Sequence, residues 1–168
     1  SQNVNTLDSR VEFLPIGIAN HFWKWGDTKK VVDVILEDIE KTDFVYAHFR
    51  ERDNRAECYD SVKREGIPIV ESMEYKDYLR KLKTYKYCVS PEGNGIDCYR
   101  TWEALYMKTI PICKRSILVE EFAKTFPIYI VDDWKDLNVK DLEKQYDTFN
   151  WNNWYQLDFE TYCRKVGL

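Results

Sequence analysis

The 168-residue chain is 44% hydrophobic and 32% charged, enough apolar material for one sizeable core and too balanced for a disordered or fibrous chain. Its formal charge of −4 argues against a broad nucleic-acid footprint, which requires surplus lysine and arginine. No apolar run approaches the ~20 residues that span a bilayer, and the opening SQNVNTLDSR lacks the charged start and apolar stretch of a signal peptide.

In chain order, VEFLPIGI (11–18) reads as a strand and KKVVDVILEDIEK (29–41) as an amphipathic helix with Val32, Ile35 and Ile39 on one face. DFVYAHF (43–49) is a second strand, followed by a helix over NRAECYDSVKREG that stops at Gly66. IPIVES (67–72) is a third strand and EYKDYLRKLKTY a third helix. YKYCVSP (85–91), IPICKRS and PIYIVDD (127–133) are further strands, separated by helices over DCYRTWEALYMKT (97–109) and SILVEEFAKTF. The tail, about 138–166, reads as two helices with aromatic faces.

Near-continuous apolar strands alternating with helices of this length predict one α/β domain over residues 1–168. Its sheet is mostly parallel and doubly wound, Rossmann-like, with about six strands and helices on both faces. Five cysteines (Cys58, Cys88, Cys98, Cys113, Cys163) show no CxxC spacing, which favours a reducing compartment and no zinc site. With no signal-like stretch at its start, the sequence predicts a cytoplasmic setting, bacterial or virus-encoded, rather than the Golgi lumen.

Open parallel sheets bind ligands beyond the carboxyl ends of their strands. The loops to inspect are therefore 19–27, 50–55, 72–75, 91–97 and 114–117. The fourth carries SPEGNGIDCYRTWEAL (90–105). Gly93, Asn94 and Gly95 allow a tight turn, and Asp97 is a favoured helix cap that can accept from the amide of Arg100. Those features alone describe a well-made strand-to-helix turn. The amides of a helix N-terminus also form an anion site, and Arg100 can aim a planar fork at phosphate oxygens from the first turn. Glu103, one turn on, either pairs with Arg100 or accepts from ribose hydroxyls. Neither the nicotinamide fingerprint GxGxxG nor the phosphate loop GxxxxGK[ST] occurs.

CVSPEGNGIDCYRTWEALYMKTIPI (88–112), with FLPIGIANHFWKWGD (13–27) and FVYAHF between them, resembles the exostosin-like glycosyltransferases. More distantly it is similar to the donor-binding half of fucosyltransferases. The resemblance implies a GT-B type C-terminal domain that binds a nucleotide-diphosphate sugar for transfer to a glycan, lipid or protein acceptor. Carried onto this chain, it puts Gly93, Asn94, Gly95 and Arg100 on the diphosphate and Glu103 on the ribose. Glu92, Asp97 and Tyr99 line the same pocket. Arg50, Arg52 and Arg55 neutralise the leaving phosphate in place of a metal, since no Asp-x-Asp pair is present. The resemblance also implies an acceptor domain that is absent here or cut away, or a homo-oligomer. The alternative is a nucleotide- or anion-binding module without transferase activity.

His21, in the loop after the first predicted strand, is either a catalytic base, an acceptor contact or a loop histidine bonded to backbone. His48, inside an apolar strand, reads as a core or rim histidine. Phe22, Trp23 and Trp25 offer either a stacking platform for an acceptor sugar or a cap on the sheet edge. Trp151, Trp154 and Tyr155 either pack the tail onto the core or stand exposed at an interface.

Overall fold

The computed structural model describes Asn3, Thr6, Asp8, residues 13–158, Thr161 and Arg164. Cys163, about half of the last predicted helix and the first two residues of the predicted strand 11–18 lie outside the described residues.

The protein is α/β, built on a parallel sheet. Helix α1 (Thr28–Leu36) is capped by Asp27, whose carboxylate accepts from the amides of Lys29 and Lys30. The pattern predicts a helix running to residue 41, but the chain turns out at Glu37. There the Lys83 ammonium takes up the carbonyls of Val34, Ile35 and Glu37, satisfying the helix end. Strand β1 (Asp43–Ala47) follows, then a 3-10 turn and α2 (Ala56–Arg64). Gly66, at φ +68°, adopts the left-handed conformation that ends α2.

Next come α3 (Tyr75–Lys83), β2 (Tyr85–Val89), α4 (Tyr99–Tyr106), β3 (Ile110–Lys114), α5 (Ile117–Ala123) and β4 (Tyr129–Val131). The tail holds α6 (Val139–Gln145) and two 3-10 turns, Tyr146–Thr148 and Trp154–Leu157.

The four strands pair in the order β1-β2-β3-β4, all parallel. Two of the six expected strands are corrected. Within 67–72, Ile69 alone pairs with Ala47. Pro68 has no amide to give, and the chain then leaves the sheet edge. Residues 13–18 join no strand. Gly17 (φ +65°) breaks the extended run, and the Ile16 amide donates to Asp97 (2.7 Å) rather than to a ladder.

Both faces of the sheet are covered. Val45, Ala47, Tyr87, Val89, Ile110 and Ile112 pack with α2 residues Cys58 and Val62 and with Leu142 of α6. Tyr46 and Cys88 face Val31 and Val34 of α1, Leu79 and Leu82 of α3, and Met107. Trp102, Leu105 and Phe122 close the α4–α5 side. Trp154 donates from its indole to the Leu105 carbonyl (2.9 Å), so the tail is docked on α4, although Tyr155 stays exposed.

The connections create a reversal. From β1 the chain passes through α2 to Ile69 on one side, then returns through α3 to β2 on the other. The carboxyl ends of β1 and β2 therefore diverge into a crevice, the place where parallel sheets take ligands.

Candidate functional site

Two loops meet in that crevice, 48–55 after β1 and 90–98 after β2. Asn54 donates to the Gly93 carbonyl (2.9 Å), and Arg55 Nε donates to the Glu92 carbonyl (2.7 Å). Arg52 reaches the Asn94 side-chain oxygen at 3.5 Å. The Gly93 amide closes on the Gly95 carbonyl (3.0 Å). Gly93 is not in the left-handed conformation, and a Cβ there would make only ordinary contacts with Cys98 and Arg55.

Arg100 leans back from α4 across both strand ends. Its Nε donates to the His48 carbonyl and its Nη1 to the Pro91 carbonyl, each at 3.2 Å, and the guanidinium lies over the Phe49 ring. Arg55, 8% exposed, is held the same way by the carbonyls of Glu92 and Arg50. Burial first, then the like charges of Arg100 and Arg52, pulls Arg55 below the usual guanidinium range. Among the described residues no carboxylate pairs with Arg50, Arg52, Arg55 or Arg100. Elsewhere the charged side chains pair freely, as in Arg80–Glu37 and Lys76–Asp33. The crevice thus holds guanidiniums that form no ion pair with a carboxylate among the described residues, beside the N-terminus of α4, which no side chain caps. Burial lowers Arg100, but Cys98, Tyr78, Cys88 and Glu103 nearby hold it above the usual guanidinium range.

Asp97 does not cap α4. Cys98 is the N-cap residue, and Asp97 turns inward to accept from the Trp102 indole and the Ile16 amide, both at 2.7 Å. Burial lifts its carboxyl to about 6 despite those bonds. Its observed role is to clamp residues 13–18 against the loop.

Glu103 is also buried and makes no ion pair with Arg100. Its two oxygens accept from Tyr75 (3.1 Å) and Tyr78 (2.8 Å) of α3, and burial raises its carboxyl above the usual range. Glu92 and Tyr99 are half-buried on the rim, and the Glu92 carboxylate takes part in no hydrogen bond or ion pair among the described residues. His21 stands apart on the aromatic loop, exposed, with its ring against Phe22. Trp23 and Trp25 stack on each other at 5.7 Å and remain half exposed.

Pattern reading passed over Asn54, Tyr75, Tyr78 and the carbonyls of His48 and Pro91. The tyrosines sit at i,i+3 on α3, which marks a shared face but not its partner. No group of His, Cys, Asp or Glu among the described residues is arranged to hold a metal ion, and no helix is long and apolar enough to cross a membrane. A surface hollow of about 390 Å³ lined by Ile39, Met73, Arg80 and Thr84 opens near the amino ends of the strands, away from the crevice.

No model of a known protein family matches the chain, and no curated protein matches it either.

Proposed function

We propose that this chain is the donor-binding domain of a glycosyltransferase, a Rossmann-like half of the GT-B type that holds a nucleotide-diphosphate sugar. The observation that carries the reading is the pair of guanidiniums, Arg55 and Arg100, converging without a carboxylate partner where β1 and β2 diverge. A diphosphate supplies negative charge that can pair with them directly and takes bidentate hydrogen bonds from such groups. The uncapped amides of α4 add a second source of anion affinity. The same cations stabilise the charge that develops on a departing nucleoside diphosphate.

The inward orientation of Glu103 alters the ribose assignment. Its lone pairs are engaged by two tyrosines, so Glu92 on the crevice rim is the better acceptor for ribose hydroxyls. That same orientation supports the alternative, an anion- or nucleotide-binding module without transfer. The family assignment, to exostosin-like enzymes, rests on the sequence resemblance.

Thermal unfolding in the presence of UDP, GDP and their sugar conjugates tests the reading. A rise in Tm is expected with at least one diphosphate nucleotide, and its loss in Arg52→Ala combined with Arg55→Lys. No shift with any of them refutes the donor site. Binding without sugar transfer or donor hydrolysis supports the alternative.

A further inference from the structure

His48 stands where β1 ends and the arginine-bearing loop begins. Its Nδ1 lies 2.9 Å from the carbonyl oxygen of Val70. A carbonyl only accepts, so Nδ1 carries the hydrogen and the tautomer is set. The ring is held against Tyr46 (6.0 Å) and Tyr78 (5.3 Å) and is partly open to solvent. Among the described residues Nε2 has no hydrogen-bond partner, and it is not one of the sealed, unpartnered atoms.

The groups against the ring are Tyr46 from β1, Tyr78 from α3 and the Val70 carbonyl from the segment after α2, while Arg100 from α4 holds the His48 backbone carbonyl and acts on the ring through its charge. Glu103 lies behind Tyr78, occupied by the two tyrosines. Burial and then the Arg100 charge, against the opposing Val70 bond, lower the ring below the usual histidine range, so it is neutral near pH 7. A neutral imidazole with Nδ1 protonated leaves its lone pair on Nε2.

We propose that His48 Nε2 is the general base of this site, taking the proton of the hydroxyl that attacks the donor sugar. This rests on the donor-site reading above. In the step, the acceptor alcohol or water loses its proton to Nε2 as its oxygen forms a bond to the anomeric carbon. The bond from that carbon to the phosphate oxygen breaks, and its electron pair leaves with the nucleoside diphosphate beside Arg55 and Arg100. The imidazolium then returns its proton to solvent. A single displacement of this kind inverts the anomeric configuration. His21, by contrast, is held by no hydrogen bond among the described residues that would orient it.

Two variants separate a chemical role from a structural one. His48→Asn can keep a donor toward Val70 while lacking Nε2, and His48→Gln reaches the Nε2 position with an amide that takes up no proton. Three readouts are needed: calorimetric binding of UDP and GDP, hydrolysis and transfer of UDP-glucose and GDP-mannose across pH 4.5–9, and the side-chain nitrogen spectrum of His48. The expected result is a Nδ1–H tautomer and nucleotide affinity within about twofold of wild type in both variants. Turnover should fall about 100-fold in both, with loss of the acid limb of the pH profile. A Nε2–H tautomer, an unchanged rate and pH profile in His48→Asn, or nucleotide binding by the wild type without turnover of either donor overturns the base assignment. Absence of nucleotide binding by the wild type overturns the donor site itself.

Discussion

Arg100 Nε lies 3.2 Å from the carbonyl oxygen of His48, so the helix that follows β2 is tied to the end of β1. The bond crosses 52 positions in sequence and joins the two strands whose divergence opens the crevice. It also fixes the guanidinium at the carboxyl ends of β1 and β2.

Removing that guanidinium has two separable effects. Arg100→Ala leaves the His48 and Pro91 carbonyls without their charged donor, and a loss of about 2 kcal/mol is expected in urea denaturation. Arg100→Lys keeps the charge but cannot reproduce two donors in a fixed plane, so it should recover part of the stability and little of the nucleotide-dependent rise in Tm. Equal nucleotide shifts in wild type and Arg100→Ala would show that the anion binds elsewhere.

Asp97 makes stability depend on pH in a defined window. Its folded carboxyl is raised to about 6 by burial, against an ordinary value of 3.8. The folded state therefore holds the proton more tightly than the unfolded chain. The stabilisation is complete below about pH 4 and is lost as pH rises through 6, an effect on the order of 3 kcal/mol. Other carboxylates, such as Asp33 and Glu37, are shifted the opposite way, so the difference between wild type and Asp97→Asn is the quantity to follow. The wild type should lose its advantage over Asp97→Asn between pH 4 and pH 6.5. A difference that is flat with pH would contradict the buried carboxyl.

Four of the six tryptophans fall into two groups that truncation should separate. Trp102 is 2% exposed, its ring edge-on to Phe122 and Phe126, and Trp102→Ala should cost about 3–5 kcal/mol. Trp23 is 55% exposed, and Trp23→Ala should change stability by about 0.5 kcal/mol or less. Iodide should quench the Trp23 and Trp25 fluorescence while leaving Trp102 and Trp134 largely untouched.

Gly66→Ala places a side chain at φ +68°, where the space is open but the backbone is strained. A loss of about 1 kcal/mol is expected, read from the thermal midpoint. No loss would mean that the end of α2 relaxes to another conformation.

Much of the fold was legible as pattern. The helices over 56–64, 75–83, 99–106 and 117–123 and the strands at 43–47, 85–89, 110–114 and 129–131 all fall where apolar periodicity and turn residues put them. The two failed strands were apolar for other reasons. Ile67 is buried against α2 and β1 rather than held in a ladder, and Ile16 is bound through its amide to Asp97. Apolar character announces burial, but it does not say whether a neighbouring backbone offers free hydrogen-bonding groups in register.

The candidate site divides in the same way. That 50–55 and 90–105 carry cations, glycines and a helix start is written in the chain, because turn propensity and charge are local properties. That Arg55 and Arg100 meet, that Asp97 faces a tryptophan instead of its own helix, and that Glu103 is claimed by two tyrosines from α3 are decided by the packing of α3 and α4 on one sheet. Which carboxylate stays free for a ligand depends on which donors burial brings within hydrogen-bonding distance. Those donors lie 5 and 81 positions away for Asp97 and 25 and 28 for Glu103, and sequence spacing alone carries no measure of that distance in space.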